Sequence, residues 1–325
     1  MVSSEIFDID NEVQFEQTCL RVFRHQANLN STYREFIRLL GRSPERVQKL
    51  TDIPFLPIEF FKSRRVLSSA DEVEMTFTSS GTTGSVPSRH LVTDLSLYEQ
   101  SFNRGFELFY GSPRDYTILA LLPSYLEREG SSLVYMADSL IRSSQSQASG
   151  FYLHELEELG EKLEELDGSG KAVLLLGVSY ALLDLASLKR FRLNNTIVME
   201  TGGMKGRRKE MVREELHEEL KKGFGVSEIH SEYGMTELLS QAYSKGNGLF
   251  QCPPWMKVLI RDTEDPLSYL EQGRTGGVNV IDLANLNSCS FIATQDLGRS
   301  NPKGGFEILG RFDHSDIRGC NLMVV

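Results

Sequence analysis

From Val73 to about residue 245 the chain alternates short apolar runs with amphipathic stretches, and this alternation restricts the fold more than any other feature. The runs VEMTFT, YTILALL, KAVLLLG and NTIVME are partly β-branched and bounded by Gly, Ser or Pro, which predicts strands. Between them, Leu153, Leu156, Leu159, Leu163 and Leu166 fall on one face of a predicted helix. Glu155, Glu157, Glu158, Glu161 and Glu164 lie mostly elsewhere on it and read as a solvated face. A further helix is predicted from Val212, Leu216 and Leu220 at four-residue steps, ending at Lys221, Lys222 and Gly223. Strands alternating with helices imply an α/β fold with a mostly parallel sheet covered on both faces.

The flanks differ. In the first seventy residues Phe15, Cys19, Leu20 and Phe23, then Tyr33, Phe36, Ile37 and Leu40, recur at helical spacing, with Gly41 closing the second run. In FLPIEFFKSRRV, Pro54 and Pro57 break a helix and favour an extended connector. After about residue 246, GNGLFQCPPWMKVLI, GGVNVIDLA and CSFIATQD predict a smaller β-rich lobe. The expected organisation is a helical part (1–70), an α/β core (71–245), a β-rich lobe (246–309) and a tail (310–325).

Composition narrows the function classes. Hydrophobic residues make up 40% and charged residues 25%, a globular mix. With 35 basic and 45 acidic residues the net charge is −10, which disfavours nucleic acid and anionic lipid as partners. Runs such as Ala172 to Val178 fall far short of the ~20 residues of a membrane span, so no integral membrane segment is expected. The N-terminus is acidic and lacks the apolar core of a signal peptide. Four dispersed cysteines (Cys19, Cys252, Cys289, Cys320) without a CxxC pair read as free thiols of a cytoplasmic protein.

Two segments carry chemistry. The first, Phe77 to Ser88, places six hydroxyls and two glycines between Thr78 and Ser85. Glycines let backbone N–H groups approach an anion, and Ser and Thr add neutral donors suited to phosphate oxygens. Gly81 and Gly84 are three apart with no lysine following, so this is not the GxxxxGK[ST] loop. On its own the segment reads equally as a phosphate cradle or a flexible surface loop. The second, Ser231 to Glu237, gathers Tyr233, Gly234, Thr236 and Glu237: an aromatic face, a hydroxyl and a carboxylate suited to a base, a phosphate and Mg²⁺.

Together the segments resemble the (S/T)SGTTGxP(K) loop and YGxTE motif of the adenylate-forming superfamily, which includes acyl-CoA synthetases, luciferases and peptide-synthetase adenylation domains. The resemblance implies that family's large domain, with ATP and Mg²⁺ as cofactors. Thr78, Ser79, Ser80, Gly81, Thr82, Thr83 and Gly84 would surround phosphate, Tyr233 and Gly234 the base, and Thr236 and Glu237 the reacting centre, with Glu237 on the metal. It further implies Gly202 and Gly203 under the adenine, Asp296 on the ribose, and Arg311 in the hinge-like GRFD near the ribose. Asp296 and Arg311 read alternatively as a loop ion pair. Two departures stand out: Ser88, with Arg89 beside it, replaces the loop lysine, and Val325 follows GRFD by only a dozen residues. The usual mobile C-terminal domain and its lysine are therefore expected to be missing, with Arg89, Lys205 and Arg311 as candidate substitutes.

FLPIEFFK, LLPSYLEREGSSLVYM and DIRGCNLM narrow the resemblance to the acyl-protein synthetase family, known from the fatty-acid reductase complex of bioluminescent bacteria, over roughly residue 50 to the end. This implies that a fatty acid, or another carboxylic acid, is activated as acyl-adenylate and passed to a cysteine near the C-terminus. An acyl reductase protein then receives it. Cys320 occupies that place, after Gly319 and near Arg318, where a cation favours thiolate and glycine gives freedom; His314 is a candidate base. Two other readings remain: an acyl- or aryl-CoA ligase with Cys320 idle, and a non-catalytic acyl- or nucleotide-binding subunit. Cys19 reads as core, Cys252 and Cys289 have no role, and His230 either lines the acyl site or packs in the core. His25, His90, His154 and His217 carry no signal.

Overall fold

The structure is a computed structural model that describes residues 4–79, 86–122, 130–153, 155–202 and 211–311. It divides into two compact units: residues up to Glu72 with those from Pro254 on, and Val73–Pro253.

In the first unit, α1 (Glu12–Leu29) and α2 (Ser31–Leu39) meet at Asn30. The Asn30 side chain caps α2 by accepting from Tyr33 N at 3.0 Å, while its amide donates to Ser288 O at 2.9 Å. Gln26, fully buried, donates to the carbonyls of Asn285 and Leu286, both at 2.9 Å, so the helices are tied to the last third of the chain. The connector holds strand β1 (Leu56–Pro57), parallel to Ile292–Ala293. It is not extended throughout: one helical turn at Phe60–Ser63 follows the second proline, which blocks only what precedes it.

The second unit opens with an antiparallel hairpin, β2 (Met75–Thr78) and β3 (Arg89–Val92). VEMTFT is thus not a strand of the parallel sheet; its Val, Met and Phe alternate with Glu and Thr, the period of a half-buried strand. The main sheet follows from β4 (Thr117–Leu121), β5 (Gly150–Tyr152), β6 (Val173–Val178), β7 (Thr196–Thr201), β8 (His230–Tyr233) and β9 (Ala242–Ser244). Its order is β5-β4-β6-β7-β8-β9, parallel except for β9, and β4 and β6 are buried at every residue. Continuous apolar strands of this kind require cover on both faces. The helices are α3 (Leu95–Tyr110), α4 (Ser132–Ser144), α5 (Leu156–Gly168), α6 (Ser179–Leu188) and α7 (Arg213–Phe224). Leu153 precedes α5, and α7 does not stop at Gly223. Gly223 lies inside it because a Cβ there would sit 2.6 Å from that of Ala186 on α6, and the left-handed cap is Gly225. A short strand, β10 (Leu249–Phe250), follows.

The first unit is completed by β11 (Met256–Arg261), β12 (Thr275–Asp282), β13 (Phe291–Ser300) and β14 (Phe306–Arg311), paired antiparallel in chain order. Phe291 anchors an aromatic cluster, with Phe23, Tyr33 and Phe55 at 6.0–6.2 Å between ring centroids. No helix among the described residues is long and apolar enough to cross a membrane.

Candidate active site

Parallel strands present their carboxyl ends on one edge, where ligands of α/β folds bind. Gly202 follows the last residue of β7, and Tyr233 ends β8. Thr201 pairs with Glu232, so Gly202 and Tyr233 stand at neighbouring positions of one edge. Gly202 holds φ +70°, a conformation that disfavours a side chain. Tyr233 packs its ring 5.8 Å from Phe250. At Gly234 a Cβ would fall against Glu232 Oε1, so a larger residue there would displace that carboxylate.

The turn after Tyr233 carries Thr236, half-buried, and Glu237, buried, closed by Leu238 N donating to Met235 O at 3.0 Å. The hydroxyl-rich segment is the link between β2 and β3. At its base Ser79 N donates to Ser88 O at 3.1 Å and Ser88 N to Ser79 Oγ at 2.8 Å. Thr78 N donates to Gly130 O at 2.8 Å. Ser80, Gly81, Thr82, Thr83 and Gly84 lie outside the described residues, as do Gly203, Lys205, His314, Arg318 and Cys320.

One contact joins the hairpin to the turn. His90, buried on β3 opposite Phe77, places Nδ1 2.9 Å from the carbonyl oxygen of Thr236. A carbonyl only accepts, so Nδ1 carries the proton. Burial drives this imidazole down to about 4, partly offset by the Thr236 bond, and it is neutral at pH 7. Sequence reading gave His90 no role, because nothing local marks its partner.

Glu232 was also missed. It is buried beside Thr201, whose hydroxyl donates to it, and burial pushes its carboxyl up to about 7, with the Glu200 charge adding to the rise. His230, on the same face, lies 3.2 Å from Tyr110 Oη and is driven down to about 4 by burial and by Lys245. On the opposite face Glu200 meets α6 and α7.

Asp296 and Arg311 belong to the first unit and are not loop residues. They face each other across β13–β14, with Arg311 Nε 3.3 Å from Asp296 Oδ1. Asp296 is nearly buried while the Arg311 side chain is 72% exposed. Cys19 and Cys289 are fully buried, and burial pushes the first thiol up strongly and the second to about 12. Neither is a usable thiolate. Cys252 is half-buried. No group of three or more potential ligand side chains among the described residues could hold a metal. Glu237 thus offers Mg²⁺ a single carboxylate, a donor set that fits this ion only when phosphate oxygens and water complete it.

This architecture is that of the adenylate-forming, acyl-CoA-ligase-like enzymes. It is similar to an open conformation of 2-hydroxyisobutyryl-CoA ligase in complex with 2-HIB-AMP and CoA, with TM-score 0.70 at 14% identity, covering 93% of this chain and 70% of that one. ATP-bound MatB from Rhodopseudomonas palustris gives a TM-score of 0.56 at 17% identity; 75% of this chain is covered, and it spans only 49% of MatB. Within this class, the profile of the acyl-protein synthetase family, LuxE, matches residues 3–325, and the chain belongs to that family. A long-chain-fatty-acid–luciferin-component ligase of Vibrio harveyi is 26% identical over 323 residues, covering 92% of this chain and 84% of the relative.

Proposed function

We propose that the protein activates a long-chain fatty acid with ATP, transfers the acyl group to its own Cys320, and passes it to a partner reductase. The observation that carries this reading is the His90–Thr236 bond, which fastens the base of the hydroxyl-rich hairpin to the turn bearing Thr236 and Glu237. That contact between the described base of the hairpin and the Thr236–Glu237 turn supports reading the two segments as one site.

In the first step a carboxylate oxygen of the acid bonds to the α-phosphorus, and the bond from that phosphorus to the β-bridging oxygen breaks as pyrophosphate leaves. Thr78 and Ser79, the segment up to Ser85, and the Thr236 hydroxyl meet the developing charge. Tyr233 and Gly234 border the base, with Gly202 and Gly203 beneath it; Asp296 accepts from the ribose hydroxyls, beside Arg311. Mg²⁺ held by Glu237 would supply charge neutralisation on the phosphates. In the second step the Cys320 thiolate attacks the acyl carbonyl, and the carbon–oxygen bond to AMP breaks to leave a thioester. The buried, protonated states of Cys19 and Cys289 support a tail thiol over an internal one.

The likeness to a ligase whose structure holds CoA favours a second reading, in which CoA accepts the acyl group. Radiolabelled fatty acid with ATP, with and without CoA, followed by denaturing electrophoresis, separates the two. Hydroxylamine-labile label on the protein supports the proposal. Label on CoA alone supports the ligase reading, and label on neither leaves a binding subunit.

A further inference from the structure

A buried polar network lies on the α6–α7 side of the sheet, and no sequence motif marks it. Glu200 of β7 and Ser231 of β8 are register partners, both buried. Around the Glu200 carboxylate stand Ser179 Oγ at 3.3 Å, His217 Nε2 at 3.6 Å and Arg213 Nη1 at 3.6 Å. Ser179 Oγ also donates to the carbonyl of Gly202 at 2.7 Å, so its one proton is shared and Gly202 holds the shorter arm.

The other branch runs toward Tyr233. His217 Nε2 lies 3.3 Å from Ser231 Oγ, two residues before Tyr233. The Arg213 guanidinium stacks 4.7 Å over the Phe250 ring, against which Tyr233 packs. Arg213 Nη1 is buried with no hydrogen bond among the described residues, so it holds Glu200 by charge. Burial alone would raise the Glu200 carboxyl. The polar groups of His217 and Ser231 beside it and the Arg213 charge together hold it below its ordinary value, and it is ionised. A buried ion pair is seldom more stabilising than an apolar replacement, so its presence here asks for a reason other than stability. Its two branches end on the two segments that flank the base in the proposed nucleotide site.

We propose that Ser179 and Glu200, balanced by Arg213, are positioning residues that fix the Gly202 turn relative to Tyr233 and so define the slot for the purine base of the nucleotide. The inference rests on the reading of this edge as an ATP site. It places no network residue in contact with the reacting atoms. Ser179 acts on the turn directly, and Glu200 acts through Ser179 and through the His217–Ser231 pair.

ATP–pyrophosphate exchange tests it. Ser179→Ala is expected to raise KM for ATP roughly ten-fold, the effect of one lost hydrogen bond, with kcat, KM for the acid and Tm near wild type. Ser179→Thr, which keeps the hydroxyl, restores KM. Amide exchange at Thr201 and Gly202 quickens in the Ala variant without nucleotide. Glu200→Gln is expected to raise KM for ATP as well. Unchanged KM for ATP in both variants, or equal rises in both KM values, overturns the inference while leaving the ATP site standing. Wild-type protein that neither exchanges pyrophosphate nor binds ATP overturns the ATP site, and this inference with it.

Discussion

The imidazole of His90 and the backbone carbonyl of Thr236, 146 residues apart in the chain, are joined by a 2.9 Å hydrogen bond. Protonation would leave Nδ1–H to donate, so it is burial of the added charge, and not loss of this bond, that disfavours the cation. The ring's pKa is lowered from 6.5 to about 4, so its contribution to stability is present above pH 6.5 and is lost as pH falls toward 4. The loss is on the order of 3 kcal/mol. In His90→Asn, whose amide can donate to the same carbonyl, the fall in stability between pH 6.5 and 4 should shrink correspondingly. Urea unfolding across that range measures it. A wild-type slope in the variant would remove His90 as the titrating group.

Glu232 has the opposite sign. Its carboxyl is raised from 4.5 to about 7, so its contribution is fully present below pH 4.5 and is lost as pH rises through 7. Glu232→Gln should therefore gain stability relative to wild type between pH 4.5 and 7, by a few kcal/mol at most. Parallel melting curves at the two ends of that window provide the check, and an unchanged difference would speak against a buried neutral acid.

Glu237→Gln is expected to abolish acyl-adenylate formation while ATP still binds weakly, because the amide keeps the size of the side chain and removes the charge a metal requires. Pyrophosphate exchange reports it directly. Exchange at the wild-type rate would take Glu237 out of the metal role.

Asp296→Ala should weaken nucleotide binding roughly 10- to 100-fold, the scale of hydrogen bonds to a charged group. Since Arg311 is largely exposed, its pairing with Asp296 adds little to stability, and Arg311→Ala should leave Tm nearly unchanged. Calorimetric titration with AMP separates the roles: unchanged affinity in Asp296→Ala would make the pair structural.

Cys320→Ser should still form acyl-adenylate and carry no hydroxylamine-labile acyl group, because a serine hydroxyl is far less ionised than a thiol. Thioester that persists in this variant but vanishes in Cys252→Ser would move the acceptor inward.

How much of this was legible beforehand depends on how local each signal is. β4 and β6 could be read because a strand buried on both faces writes a near-continuous apolar run. VEMTFT instead alternates Val, Met and Phe with Glu and Thr, the pattern of a half-buried strand, and it lies in a hairpin. The end of α7 was misplaced because Gly223 serves close helix packing and Gly225 serves the cap. The YGMTE segment stood out because its residues are consecutive. Ser179, Glu200, Arg213 and His217 arrive from three different elements, and only Arg213 and His217, one turn apart on α7, are linked by spacing.

The bonds from Gln26 to Asn285 and Leu286 cross 259 and 260 residues of chain. During synthesis, α1 leaves the ribosome well before its partners, with Phe15, Cys19, Val22 and Phe23 on the face it buries in the finished protein. The carbonyls that hold Gln26, and the Phe291 ring that packs on Phe23, emerge only after the whole intervening stretch. At roughly 5–20 residues per second that helix waits on the order of 13 to 50 seconds for its partners. Val73–Pro253 is synthesised before then, so the unit built from residues on either side of it is the later of the two to form and the one for which holding chaperones have more to cover.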